Sequence, residues 1–400
     1  MKGKNILIVS CVFPPEPVVS GRVAYDLANY LSKENIVIAL SPKPTRPEGF
    51  RFDDNRVGIN RKFKHIIINS YISPKSKIFP RAYESYSFGK HIVRYLKKNK
   101  GNIDVVYLNA WPLASQYLIV KACRRLNIKT VVHIQDIYPE TFTRKLPVLK
   151  SLFNHLLLPI DKYILKHARK VVTISPGMKG YLLNTRNLEE KILEVVYNWQ
   201  DNISAETAVK DDGLFKFVYV GSLSRTAQIE SIIEGFGALD NDRAKLVIAG
   251  SGSDEERLKK IAADYPDANI KFTIAPFDKV AEIQANADVL VLSLQEGEGK
   301  FALPSKLVSY MNSKKPILAI VESGCDIERI ILDADCGWVV KQNEKVDIKN
   351  KMSELVRTHP KHLLAKGEKS EAYAIQNMSR EVNLEKLSKI IINELWKSGK

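Results

Sequence analysis

Short apolar runs recur along this chain and are separated by stretches with helical periodicity. In the first half they are NILIVS, NIVIALS, DVVYLNA, TVVHIQD, KVVTIS and EVVYN. In the second half they are FKFVYVGS, KLVIAGSG, ANIKFTIAP, ADVLVLS, KPILAIV and CGWVV. Strands that are apolar without alternation, with helices between them, belong to parallel sheets covered on both faces. The pattern occurs twice, which predicts two α/β domains, at residues 1–197 and 214–378. Between them NWQDNISAETAVKDDG, residues 198–213, is polar and aperiodic and reads as a linker. The tail from about Ser379 to Trp396 carries Val382, Leu384, Leu387, Ile390, Ile391 and Leu395 at helical spacing, with no strand after it.

The length of 400 residues supports this division, because one hydrophobic core seldom serves so long a chain. The apolar fraction of 45% and charged fraction of 26% are those of an ordinary globular protein. A formal net charge of +16 predicts a surface that attracts anions: nucleic acid, anionic lipid or phosphorylated substrates. The cysteines at 11, 123, 325 and 336 are dispersed and form no C-x-x-C, against a zinc site or a disulfide framework and in favour of a reduced cytosolic setting. The apolar start leads into PPEP and not into a small-residue cleavage site, which argues against a secretion signal. No apolar run reaches the roughly 18 residues of a spanning helix.

Doubly wound domains bind ligands at the carboxyl ends of their strands, and two such domains facing each other place the ligand in a cleft. In the second half FVYV runs into GSLSRTAQIE, where Gly221 permits a close turn and Arg225 offers a forked donor. KLVIAGSGSDEE holds Gly250 and Gly252, with Ser253 and Glu256 spaced as a helix capping box. The most informative stretch is VLSLQEGEGKFALPSKLVSYMNSKKPILAI. Glu296 and Glu298 lie among glycines there, followed by Pro304, Ser305 and Lys306 at a helix start, an arrangement suited to an anion. The acids then address hydroxyls of the same ligand, and a ligand with phosphate and polyhydroxyl parts is a nucleotide sugar. The first loop has no G-x-G-x-x-G, which counts against a dinucleotide. The chain also offers no nucleic-acid recognition module.

These motifs, with HIQDIYPE, Ser175-Pro176, Asn198-Trp199 and Tyr310-Met311, resemble over nearly the whole chain the retaining glycosyltransferases of family 4 with the GT-B fold. Within that family they resemble the branch that adds amino sugars during colanic acid, O-antigen or capsule assembly. The resemblance implies two Rossmann-like domains facing across a cleft, with residues 379–400 returning to the first. It implies donor contacts from Gly21, Arg22, Gly221, Arg225, Gly250, Gly252, Ala275, Ser305, Lys306 and Ser309. Glu298, Glu296, Asp136, His133 and Gln135 are the implied catalytic candidates, Glu298 being preferred to Glu296 for its flanking glycines. His133 reads equally as a hydrogen-bonded core residue. At Ser309 the family commonly has a ribose-binding glutamate, and before Asp136 a histidine where this chain has Gln135.

The implied reaction is retaining and independent of metal, so Asp240-Asn-Asp242 and Asp333-Ala-Asp335 read as turns. The donor is expected to be a UDP-sugar carrying an N-acetylated amino sugar, no further cofactor being required. The expected acceptor is a saccharide linked to polyprenyl diphosphate. Residues 144–170 combine Leu, Ile and Phe with Lys and Arg, as either an interfacial helix or a core helix with a basic face would. The cytoplasmic membrane surface is therefore a further expected partner, with the protein peripheral on its inner face. A sugar-nucleotide binder without activity, and another GT-B enzyme such as an epimerase, remain alternatives that fold does not separate.

Overall fold

The structure is a computed structural model and describes residues 3–45, 62–73, 77–109, 113–143, 150–200, 213–240, 242–300, 303–341 and 344–396. The chain divides into two compact units, Met1–Trp199 with Arg380–Lys400, and Gln200–Ser379.

The first unit alternates strand and helix. Its strands are β1 (Asn5–Ser10), β2 (Ile36–Pro42), β3 (Lys64–Ile68), β4 (Val105–Asn109), β5 (Lys129–Ile134), β6 (Lys170–Thr173) and β7 (Leu193–Val195). Its helices are α1 (Val19–Leu31), α2 (Ile78–Lys98), α3 (Leu113–Arg125), α4 (Glu140–Thr143), α5 (Lys150–His167) and α6 (Pro176–Arg186). The strands form one parallel sheet in the order β3-β2-β1-β4-β5-β6-β7. Sequence patterning misses β3, because an edge strand has one flank in solvent and alternates weakly between exposed and half-buried positions.

Local chemistry sets several ends. Ser175 caps α6 by accepting from the Met178 amide at 3.2 Å, and Pro176 occupies the first helical position, where its missing N–H costs nothing. At the other end of α6 the buried Arg186 donates to Asp161 at 2.6 Å and to Glu140 at 2.7 Å, which ties α4, α5 and α6 together.

The C-terminal helix, Arg380–Trp396, packs its buried Leu384, Leu387, Ile390 and Ile391 into the first unit's core, beside Leu27 and Leu31 of α1. Val382 faces outward, 42% exposed. One buried carboxylate gathers this region. Asp26 accepts from Trp199 Nε1 at 2.9 Å, from Arg380 Nε at 2.9 Å and Nη2 at 3.0 Å, and from Arg22 Nε at 3.2 Å. Trp199 is 2% exposed and belongs to this core. The linker expected over 198–213 is corrected at its start, because an indole buried against Asp26 is part of a domain. Residues 201–212 lie outside those described.

The second unit repeats the architecture. Its strands are β8 (Phe215–Val220), β9 (Ala244–Ala249), β10 (Ile270–Thr273), β11 (Val289–Ser293), β12 (Ile317–Ile320) and β13 (Gly337–Val340). The helices are α7 (Ile229–Gly237), α8 (Glu255–Ala263), α9 (Val280–Ala285), α10 (Ser305–Asn312), α11 (Asp326–Asp333), α12 (Lys345–Val356) and α13 (Pro360–Met378). The sheet is parallel in the order β10-β9-β8-β11-β12-β13. Both sheets are Rossmann-like, and each reverses its winding once, between β1 and β4 and between β8 and β11. Ligands of such sheets bind outside the strands' carboxyl ends at that reversal.

Candidate functional site

At the reversal in the second unit the sheet opens. The registered pairs between β8 and β11 are Phe217 with Val289 and Val218 with Leu290. Past them the Tyr310 hydroxyl, from α10, accepts from the Val220 amide at 2.7 Å and donates to the Val220 carbonyl at 3.0 Å. A side chain thus satisfies backbone groups that a neighbouring strand would otherwise hold. Gly221 follows at once, with φ +153°, a region open essentially to glycine alone.

Lys306, in the first turn of α10, is brought against this glycine from 85 residues away. A Cβ built on Gly221 would lie 3.3 Å from Lys306 Nζ. Nζ donates to the Tyr219 hydroxyl at 2.6 Å and sits 4.4 Å from the centre of that ring. Tyr219 in turn donates to the Ser222 carbonyl at 2.8 Å. Burial lowers the Lys306 pKa to about 8, and among the described residues no carboxylate pairs with it. A desolvated cation held without an anion, beside backbone stripped of side chain, is suited to a phosphate.

The neighbouring loops close around this point. A Cβ on Gly250 would collide with the Gly221 carbonyl, and one on Gly252 with that of Leu223, so at these glycines the loops after β8 and β9 meet backbone to backbone. The loop after β11 is tied to the Arg225 turn, the Gln295 amide donating to the Thr226 carbonyl at 2.9 Å. In that loop Glu298 is half-buried and Glu296 exposed. Arg225 is 80% exposed and 3.7 Å from the Asp254 carboxylate. Ser305 is exposed, its carbonyl accepting from Gln200 at 3.1 Å, and Ala275 lies half-buried in the loop after β10.

Ser309 stands on the face of α10 toward Gln284 of α9. It accepts from that amide at 2.9 Å and donates to it at 3.1 Å, a pairing that sequence did not suggest. The capping box expected at Ser253 and Glu256 is corrected. Helix α8 starts at Glu255 with Asp254 at its cap and no side-chain capping bond, because Arg257 holds the Asp254 carboxylate at 2.7 and 2.9 Å. Asp335 is engaged by Lys366 at 2.7 Å and Lys369 at 2.6 Å, which hold its carboxyl down at about 2. Asn241 is outside the described residues.

In the first unit Gly21 lies inside the first turn of α1, where its Cα packs on the Val12–Phe13 backbone at 3.2–3.3 Å from a built Cβ. Arg22 turns to Asp26. His133 is fully buried on β5, its Nδ1 2.7 Å from the Tyr107 hydroxyl and its Nε2 3.3 Å from the Gln135 amide nitrogen. Burial lowers its pKa to about 3, so the ring is neutral. With the Gln135 amide donating to Nε2, the ring proton sits on Nδ1 and points to Tyr107. The alternation of strand side chains foretold that His133 and Gln135 share a face; Asn198, which donates to Gln135 at 2.6 Å, extends the row. Asn109, the register partner of both Ser10 and His133, completes the edge. Asp136 is exposed just past β5.

Comparison with known proteins agrees with these two halves. Residues 20–201 match the sequence model described as Glycosyltransferase Family 4, and residues 200–383 that of Glycosyl transferases group 1. The probable glycosyltransferase WbjE of Pseudomonas aeruginosa is 26% identical over 276 residues, covering 66% of this chain and 68% of that protein. Among solved structures, Anabaena HepE in complex with UDP-glucose superposes with a TM-score of 0.70 at 12% identity, covering 97% of this chain and 99% of that one. WaaG, a glycosyltransferase involved in lipopolysaccharide biosynthesis, superposes with a TM-score of 0.68 at 16% identity, covering 96% and 99%. With both halves matched in order and both sheets wound alike, the chain belongs to the GT-B glycosyltransferases.

Proposed function

We propose that the protein transfers a sugar, an N-acetylated amino sugar, from a UDP-sugar to a saccharide carried on polyprenyl diphosphate, with retention at the anomeric carbon and without a metal. The observation that carries this reading is the desolvated Lys306, paired with no carboxylate among the described residues, beside Gly221 at the reversal of the second sheet. HepE, bound to UDP-glucose, supports the donor class, and WaaG, involved in lipopolysaccharide biosynthesis, supports a role in building surface polysaccharide. The work falls at the peripheral inner face of the cell membrane, where lipid-linked acceptors are exposed to the cytoplasm.

In the proposed step the bond from the anomeric carbon to the UDP oxygen breaks as the acceptor oxygen attacks from the same face. The acceptor proton passes to the leaving phosphate oxygen. Lys306 and Arg225 offset the charge that gathers on UDP, and Glu298 or Glu296 orients the sugar hydroxyls. His133, neutral, buried and engaged at both ring nitrogens by Tyr107 and Gln135, orients Gln135 and carries no charge.

The pH dependence of UDP binding tests the reading. Phosphate favours the protonated lysine, so binding takes up a proton and weakens as pH rises through about 8, the folded-state value for Lys306. Between about pH 7 and about pH 9 the Kd, followed by calorimetry, is expected to rise about tenfold. Lys306→Arg, which keeps its charge, flattens that profile. A flat profile in the unsubstituted protein removes Lys306 from the phosphate site, and absence of any UDP binding overturns the proposal.

A further inference from the structure

Arg186, the last residue of α6, is 4% exposed and uses every donor it has. A guanidinium carries five N–H groups in a fixed fork. Its Nε donates to Asp161 at 2.6 Å. Its Nη1 donates to Glu140 at 2.8 Å and to the Thr185 hydroxyl at 3.0 Å, and its Nη2 to Glu140 at 2.7 Å and to the Tyr138 carbonyl at 2.9 Å. Glu140 is thus gripped through both oxygens, and the Tyr181 hydroxyl donates to one of them at 2.8 Å. The fork joins two different places. Asp161 belongs to α5, whereas Tyr138 and Glu140 belong to the loop that leaves β5 and enters α4. Buried ion pairs add little net stability, because desolvation offsets their attraction; what a bidentate pair fixes is geometry.

Within residues 135–140 only Asp136 is exposed, and the chain is fastened on both sides of it. On the β5 side, Gln135 is held by His133 and Asn198. On the other side Ile137 is 1% exposed, and its carbonyl accepts from the Thr141 amide and hydroxyl, each at 2.9 Å. The Pro139 carbonyl accepts from the Phe142 amide at 3.0 Å and the Thr143 amide at 2.9 Å. The Thr143 hydroxyl then donates to Asn154 of α5 at 2.9 Å. Between these ties stands the Tyr138 carbonyl, two residues past Asp136, and Arg186 reaches it from 48 residues away.

We infer that Arg186 is a positioning residue: through Tyr138 and Glu140 it sets the course of the loop that presents Asp136 to substrate at the carboxyl edge of the first sheet. The inference rests on the transferase function proposed above, in which that edge meets the acceptor. Lysine cannot take the place of Arg186. An ammonium keeps the charge, but its donors leave from one nitrogen and cannot span Asp161, Glu140 and the Tyr138 carbonyl together.

Arg186→Lys is expected to lower kcat about tenfold, since small displacements of a reacting group carry losses of that order, while the Kd for UDP, bound by the second unit, stays within about twofold. Glu140→Gln leaves Arg186 its charge and its bond to Asp161 but removes one of the two oxygens that the fork grips. It is expected to act in the same direction, and it carries the test where the lysine variant does not fold. In both variants the amides of Thr141, Phe142 and Thr143 are expected to exchange hydrogen faster, with β5 unchanged. In an Asp136→Asn background, itself slower than the parent, Arg186→Lys should change kcat less than about twofold, because both substitutions act through one carboxylate. The inference is overturned if the folded variants turn over at the parent's rate, if those three amides exchange as in the parent, or if the losses from Asp136→Asn and Arg186→Lys multiply, which gives Arg186 a role in stability alone. A parent that transfers no sugar counts against the transferase function, and the exchange of the three amides then still decides whether Arg186 holds the loop.

Discussion

Replacing Lys306 by methionine is expected to reduce sugar transfer about 10²-fold or more while leaving the free protein at least as stable as before. The two halves of that expectation have one cause. The ammonium is buried with no carboxylate beside it among the described residues, which is why its pKa falls to about 8. An uncompensated buried charge opposes folding, and methionine fills the same space without it. Tyr219 keeps the bond it donates to Ser222, so the substitution leaves no donor stranded. The charge is useful only when a phosphate arrives, and most useful when the departing UDP carries more of it. Turnover should therefore fall further than UDP affinity, measured as initial rates beside calorimetric Kd values. A variant that loses affinity while the parent shows no turnover with any UDP-sugar points to the sugar-nucleotide binder. A variant that transfers sugar at the parent's rate removes Lys306 from the mechanism.

Asp26→Ala is expected to destabilise the first unit by about 3–5 kcal/mol, the range found when one partner of a buried ion pair is removed. The carboxylate is 1% exposed and receives bonds from Trp199, Arg380 and Arg22. Its loss leaves the Trp199 indole N–H without its acceptor inside the core, and the Arg380 guanidinium without its anion. Both residues sit where the chain leaves or re-enters this unit, at Trp199 and at Arg380. The C-terminal helix should consequently loosen first, and hydrogen exchange over 380–396 should quicken more than over β4 or β5. Urea unfolding supplies the magnitude. A change below about 1 kcal/mol would mean that Asp26 is held by these partners without supporting them.

The hydrophobic pattern alone determined a great deal. Two sets of apolar strands alternating with helices admit little besides two parallel, helix-covered sheets, and the strands found include every run read from sequence. Glycine and proline punctuation located the loops at the strands' carboxyl ends, because backbone turns there require those residues. What sequence could not determine was which of the loops' side chains meet. Lys306 and Gly221 are far apart in the chain, and only the insertion of Tyr310 at the opening between β8 and β11 brings α10 against the end of β8. Ser253 spells a cap, yet Arg257 and Asp254 decide where α8 begins. The polarity of Trp199's neighbours suggested linker, whereas its indole is fixed by a carboxylate 173 residues earlier. Helical periodicity showed that residues 144–170 are amphipathic but not which stripe of α5 would remain uncovered. Period and propensity are local and can be read in order; burial, ion pairing and pKa depend on partners that only the folded chain assembles.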